Sequence, residues 1–200
     1  KEVGFVHVGY GVESGSDRVL QTLKKGETIA EIEHAIRISL DLGFDISLFF
    51  VFGAPGETLE DVEDSIRISL KYPVVESRFY NLIPYPGTEL FQWVQNNRYF
   101  VKSPEQYLND TSTFPSAPVF ETPELPYKTR VMLTKRLDAV TKKVRKNAVL
   151  KKLEIFGFMG VLAYYLFSDV YVSDYFQLLM RQNRDVRRII DFIYIRVRRA

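Results

Sequence analysis

The chain has 200 residues, enough for one folded domain and an appendage. A composition of 46% hydrophobic, 14% aromatic and 26% charged residues excludes a disordered protein, and the lack of cysteine excludes disulfides, thiolate metal sites and cysteine catalysis within this chain. Residues 1–127 carry 10 basic and 19 acidic side chains, whereas residues 128–200 carry 17 and 6. This asymmetry predicts two segments with different surroundings.

The first hundred residues alternate between strand-like and helix-like stretches. The predicted strands are one near residues 5–9, one from Phe44 to Phe52 that is buried on both faces, and one from Val74 to Ile83. The first predicted helix runs from Asp17 to Lys25, with Ser16 as its N-cap and a left-handed Gly26 after it, and the second begins with a Thr28–Glu31 capping box and ends at Gly43. Two further helices are predicted, one that begins with Thr58 and Asp61 and one from about Glu89. Strands that alternate with helices pair in parallel through right-handed crossovers. The predicted fold class is therefore α/β, with the strands as neighbours in sequential order.

The rest of the chain changes character twice. Residues 101–127 contain five prolines and predict a long irregular connection, and residues 128–200 predict a basic helical region. Its helices are expected at Arg130 to Leu150, Ile155 to Phe167 and Tyr171 to Arg199.

The uncharged stretch from Ile155 to Phe167 is shorter than the ~18–20 residues that a membrane-spanning helix needs. Three interpretations of the basic helical region are open. It packs against the first segment, it lies on a membrane surface with its basic residues on lipid headgroups, or it contacts RNA phosphates, although no specific nucleic-acid motif is present.

Glycine-rich or proline-rich loops follow all three predicted strands. The carboxyl ends of parallel strands are where ligands bind in α/β proteins, so these loops are expected to line one rim, although each alone could be a simple tight turn. The first loop, Gly9 to Gly15, places its last glycine one residue too late for a dinucleotide fingerprint, and the carboxylate of Glu13 would repel a pyrophosphate. Glu13 better fits an acceptor for the hydroxyls or ammonium group of a ligand.

Four motifs over about 90 residues resemble the later half of the radical-SAM barrel, most closely in enzymes that also carry a cobalamin-binding domain. The motifs are Gly11-Val12-Glu13-Ser14-Gly15-Ser16, Lys25-Gly26, Phe52-Gly53-Ala54-Pro55-Gly56-Glu57-Thr58 and Pro84-Tyr85-Pro86-Gly87-Thr88-Glu89-Leu90. The resemblance implies a partial parallel (β/α) barrel of about three βα units over residues 1–100, followed by the connection at 101–127 and the helical region at 128–200.

The same resemblance implies a set of residues that bind S-adenosylmethionine. Glu13 and Ser14 would contact it with Lys25, Glu13 meeting the ammonium and Lys25 the carboxylate, while Val51 and Pro84 would flank the adenine. Without the resemblance, Lys25 would be interpreted as an exposed residue at a helix end. His7 and His34 stand alone in the sequence and are not expected to bind metal.

The chain departs from this family in one respect: the cysteine triplet that holds the [4Fe–4S] cluster is absent. We expect the triplet, the first three strands and any cobalamin domain to lie upstream of Lys1, the alternative being a degenerate homologue that begins there. The implied function is that of a cytoplasmic radical-SAM enzyme, with cobalamin use and membrane association left open and with an unknown small-molecule or lipid-like substrate. The alternative is a non-catalytic module that binds lipid or nucleic acid through its basic helices.

Overall fold

The structure of the protein is a computed structural model, which describes residues 4–109 and 117–153 together with residues 157, 158 and 164. The chain divides into two compact units, Lys1–Thr141 and Lys142–Ala200. The elements in chain order are β1 (His7–Glu13), α1 (Asp17–Thr22), α2 (Ile29–Asp41), β2 (Asp45–Phe52), α3 (Leu59–Lys71), β3 (Glu76–Asn81), α4 (Glu89–Asn96), α5 (Pro104–Asn109) and α6 (Tyr127–Leu153).

The three strands form an open parallel sheet in the order β1-β2-β3, which confirms the predicted pairing. Each neighbouring pair is joined by helices, so the described residues have the arrangement of part of an α/β barrel. The register aligns Gly11 with Phe49 and Val51 with Tyr80. These residues therefore lie towards the carboxyl edge of the sheet.

The core lies between the sheet and helices α2 and α3, which both contact β2. The residues of β2 that face them, Ile46, Leu48, Phe50 and Phe52, are at most 2% exposed. The other face of β2 is less covered, because Phe49 and Val51 are only half-buried. No residue of β2 is exposed, and Ser47 on this second face is 2% exposed, so the predicted burial on both faces holds in part and is less complete at Phe49 and Val51.

The first strand is longer and the first helix shorter than predicted. Strand β1 continues to Glu13, so Gly9 and Gly11, which were assigned to a loop, belong to the strand, whereas Gly15 lies beyond it. Helix α1 ends at Thr22, and Lys24 then adopts the left-handed conformation with φ +55°. Gly26 also adopts this conformation, as predicted, with φ +75°. Ser16 does occupy the N-cap position, but its side chain makes no capping hydrogen bond.

Both predicted capping boxes are present. Thr28 accepts a hydrogen bond from the backbone of Glu31, and Thr58 accepts one from that of Asp61, while each acidic side chain bonds back to the threonine backbone. These reciprocal bonds satisfy amides that a helix start leaves unpaired, so α2 and α3 begin where the sequence indicates.

The predicted irregular connection has more structure than expected. Helix α5 lies within it, and Phe100 forms an antiparallel bridge with Phe120. Val94, Tyr107, Val119 and Phe120 make a small buried cluster that fixes this part of the chain. Proline spacing alone could not reveal that cluster, because its members come from separate segments.

Helix α6 begins at Tyr127, three residues before its predicted start. Leu133, Leu137, Val140 and Val144 of this helix are buried. The predicted helices at residues 155–167 and 171–199 lie outside the described residues, apart from three isolated positions of the first. No helix of the described part of the chain is long and apolar enough to cross a membrane.

Candidate functional site

The carboxyl end of β1 carries a local irregularity at Glu13. The sheet register shifts between Gly11 and Glu13, and Glu13 has φ +64°, an uncommon conformation for any residue but glycine. Such a conformation costs about 1–3 kcal/mol and persists only where the surroundings impose it. Bulges of this kind redirect side chains next to functional sites, so the backbone here sets the direction of the Glu13 carboxylate.

Lys25 lies opposite Glu13 because of the way α1 ends. The left-handed Lys24 turns the chain back, and the Lys25 amide donates to the carbonyl of Leu20 at 3.0 Å. Lys25 Nζ then lies 3.7 Å from Glu13 Oε1 and also 3.7 Å from Glu27 Oε2. Both distances exceed an ordinary hydrogen bond, so the two opposite charges face each other and each keeps hydrogen-bonding capacity for a ligand.

Gly11 provides a bare surface beneath this pair. A Cβ atom at that position would lie 2.6 Å from Glu13 Oε1 and 3.6 Å from Lys25 Nζ. A side chain would therefore fill the space that the carboxylate and the ammonium border. One acceptor and one cation beside exposed backbone suit a zwitterionic ligand, whose ammonium and carboxylate need partners of opposite charge.

Ser14 lies in the turn after Glu13 and is fully buried. Its amide donates to Val12 at 2.9 Å, and its hydroxyl oxygen accepts from the amide of Ser16 at 3.2 Å. The next residue, Gly15, touches the backbone of α3, because a Cβ there would lie 2.4 Å from the nitrogen of Ser65. Ser14 thus braces the turn that carries Glu13.

Val51 near the end of β2 and Pro84 beyond the end of β3 lie towards the same edge of the sheet. Val51 is half-buried and pairs with Tyr80 of β3. Pro84 is buried three residues beyond β3, and its carbonyl accepts a hydrogen bond from the hydroxyl of Tyr107. The segments after β1 and β3 meet, since Lys24 Nζ lies 2.5 Å from Glu89 Oε2.

Glu57, which was not among the predicted site residues, is 1% exposed in the turn after β2. Its Oε2 accepts hydrogen bonds from the amides of Gly53 and Ala54, the latter at 3.0 Å. Burial raises the pKa of Glu57 to about 7, although Arg130 opposes the shift. The available signal was the glycine-rich turn with an acid after it.

Arg130 of α6 was also missed, and it is fully buried against the end of β2. Its guanidinium donates to the carbonyl of Phe120 at 2.7 Å and to that of Phe52 at 3.4 Å, and it lies 4.3 Å from the Phe120 ring centre. Burial lowers the pKa of Arg130 to about 10. Nothing in a lysine- and arginine-rich helix distinguishes this one arginine, so no sequence signal could have found it.

The part of the chain that the structure describes holds no group of three or more His, Asp or Glu side chains arranged for a metal. His7 and His34 are both exposed, one on β1 and one on α2. Together with the lack of cysteine, these residues do not fit an iron–sulfur cluster, because such clusters are held by cysteine thiolates.

Taken together, the fold and the rim define an α/β protein with a pair of opposite charges at the carboxyl edge of a parallel sheet. A family model of the radical SAM superfamily matches residues 1–68, which is the portion from β1 into α3. This portion includes Glu13, Ser14, Lys25 and Val51, while Pro84 and Arg130 lie outside it. No curated protein matches the chain. The match supports a function of the radical-SAM type.

Proposed function

We propose that the rim formed by β1, β2 and β3 binds S-adenosylmethionine and belongs to a radical-SAM enzyme. The observation that carries the proposal is the Glu13–Lys25 pair at 3.7 Å over the bare backbone of Gly11. The family match over residues 1–68 supports it independently, because it covers both charged residues.

The residues would divide the ligand between them. Glu13 accepts from the ammonium group, Lys25 donates to the carboxylate, and Ser14 holds the turn that aims Glu13. Val51 and Pro84 flank the adenine at the ends of the next two strands. When bound, S-adenosylmethionine supplies a sulfonium whose reductive cleavage yields a 5′-deoxyadenosyl radical.

The groups that would complete the enzyme need ligands from outside this chain. The [4Fe–4S] cluster requires cysteine thiolates, and this sequence has no cysteine. In this proposal, the residues of the chain bind S-adenosylmethionine, and thiolates from outside the chain hold the cluster that reduces it. Cobalamin-dependent methyl transfer or rearrangement is the further part of the proposal, and no described residue is assigned to cobalamin.

The test is calorimetric titration of S-adenosylmethionine into the full chain. Lys25→Ala should weaken binding by about 1.5–3 kcal/mol, the value of a hydrogen bond to a charged group, and Glu13→Gln should weaken it similarly. Lys71→Ala is the matched control, because Lys71 is an exposed lysine at the end of α3 and pairs with Glu33 of α2 instead. No binding by the wild-type chain, or equal binding by all four proteins, would refute the proposal.

A second candidate is a non-catalytic module that binds lipid through its basic helical region. The observations that favour it are the absence of cysteine and the 17 basic against 6 acidic residues at positions 128–200. It predicts flotation of the chain with anionic phosphatidylserine vesicles, lost as salt screens the attraction. Absence of flotation at low salt would remove this candidate, and capture of single-stranded RNA instead would favour a nucleic-acid partner.

A further inference from the structure

Arg130 joins three separate segments of the first compact unit. The residue lies on α6, and its guanidinium binds the carbonyl of Phe120 and the carbonyl of Phe52, the last residue of β2. The two ends of the second contact are 78 residues apart in the sequence. Helix α6 is therefore attached directly to the carboxyl edge of the sheet.

The space that holds the guanidinium exists because residue 53 is glycine. Gly53 has φ +95°, and a Cβ on it would lie 2.0 Å from Arg130 Nη2 and 2.3 Å from Cζ. No side chain can stand there while Arg130 keeps its position. The turn and the arginine are thus matched to each other in shape.

Attaching α6 in this way has an unfavourable free-energy term, because it buries polar groups that are incompletely hydrogen-bonded. Arg130 Nε and Glu57 Oε1 are buried and have no hydrogen-bond partner among the described residues. Buried charges with unfilled bonding capacity often stabilise a protein less than apolar packing of the same volume would. Attaching α6 to the sheet does not by itself account for burying both Arg130 and Glu57. Holding a short backbone segment in a fixed position does account for it.

The segment so fixed is the one that follows Val51. Phe52 contributes its carbonyl to Arg130, and Gly53 and Ala54 donate their amides to Glu57. The guanidinium therefore binds the residue just before the turn, and the carboxylate binds the first two amides of the turn. Val51 lies next to Phe52 in β2, where it pairs with Tyr80, so the two side chains fix the backbone that directly follows Val51.

We propose that Arg130 is a positioning residue for the S-adenosylmethionine site. It locks the turn from Gly53 to Glu57, so that Val51 is held where the adenine binds, and it makes ligand affinity depend on the docking of α6. This inference rests on the proposed function and extends it to a residue outside the portion that the family model matches.

The experiment compares full-chain variants by calorimetry with S-adenosylmethionine and by hydrogen exchange of the Gly53 and Ala54 amides. Arg130→Met should weaken binding about tenfold, equivalent to about 1.4 kcal/mol, and speed exchange of both amides. Arg130→Lys should restore part of the affinity, because a cation again faces the Phe52 carbonyl. The double variant Arg130→Met with Glu57→Gln removes the unpaired buried charge and serves if the single variant does not fold.

Arg136→Met is the matched control, because Arg136 lies on the same helix and forms an exposed ion pair with Glu63 of α3. Exposed pairs of this kind contribute little, so its affinity and amide exchange should match those of the wild type. Faster exchange in Arg130→Met with unchanged affinity would show a merely structural role and overturn the inference while leaving the proposed function intact. Failure of the wild-type chain to bind would instead refute the proposed function, and the inference with it.

Discussion

Among single residues, Glu57 has the most altered ionisation. Burial raises its pKa from an ordinary value of 4.5 to about 7, despite two backbone donors and the nearby charge of Arg130. A carboxyl group whose pKa is raised by folding binds more protons in the native than in the unfolded state between those pH values. Its contribution to stability is therefore complete below pH 4.5 and is lost as the pH rises through 7.

We predict that the free energy of unfolding decreases by up to about 3 kcal/mol between pH 4.5 and 7.5 on account of Glu57, at 1.36 kcal/mol per pKa unit. Glu57→Gln should abolish that decrease, because the amide cannot titrate. Urea unfolding at several pH values measures the slope. Glu60→Gln is the control, because Glu60 is an exposed residue at the start of α3, the helix that follows Glu57. This variant should keep the wild-type slope.

If Glu57→Gln and the wild type lost stability in parallel over this range, the carboxyl group would not be the source of the pH dependence. In that case the amides of Gly53 and Ala54 stabilise the ionised form more than burial destabilises it.

At the scale of elements, β1 is an edge strand of the described sheet, as β3 is, and its residues are the more exposed. Its described pairing is with β2, and no other described strand pairs with it. Phe5 and Val6, just before it, are 69% and 64% exposed. Val6 is already extended beside β2, because its carbonyl accepts from the amide of Asp45 at 2.9 Å. An uncovered apolar edge of this kind is a template for pairing with another strand.

We expect the chain to associate through this edge as its concentration rises. Val6→Lys should shift the chain towards the monomer, because a charged side chain at an edge disfavours strand addition. Sedimentation velocity over a range of concentrations measures the change. Ile38→Lys, which alters an exposed apolar residue on α2, is the control and should leave association unchanged. A wild-type chain that stays monomeric throughout would contradict the prediction.

At the scale of the whole molecule, the decisive feature is chemical rather than architectural. The rim has opposite charges suited to S-adenosylmethionine, but the 200-residue chain contains no cysteine and two histidines. Under the proposed function, ligand binding and redox chemistry are separable in this protein. The proposed contacts of Glu13 and Lys25 with an amino acid group do not require a cluster.

We predict that anaerobic reconstitution with iron and sulfide leaves the chain without a [4Fe–4S] absorption band and without production of 5′-deoxyadenosine. The reason is the missing set of thiolate ligands. The same preparation should still bind S-adenosylmethionine in calorimetry. An incorporated cluster, or any 5′-deoxyadenosine above a protein-free control, would show that another set of residues holds the iron.

The features that the sequence determined by itself are those that depend on neighbours along the chain. Thr28 and Thr58 with acidic residues three positions later specify their helix starts, and the alternation of strands and helices specifies a parallel sheet in sequential order. The candidate residues Glu13, Lys25 and Val51 were assigned from motifs, and the structure brings Glu13 and Lys25 within 3.7 Å.

Only the tertiary structure decided the features that depend on distant contacts. Lys24 adopts the left-handed conformation that local preference assigns to glycine, and α1 ends before it, at Thr22. The burial of Arg130 against Phe52 joins residues far apart in sequence. The sequence of a basic helix does not distinguish an arginine exposed to solvent from one that is buried and bound to backbone carbonyls. Propensity and residue spacing describe the conformation that a segment prefers by itself. The burial of a side chain depends instead on which distant segments pack against it, and that packing exists only in the folded chain.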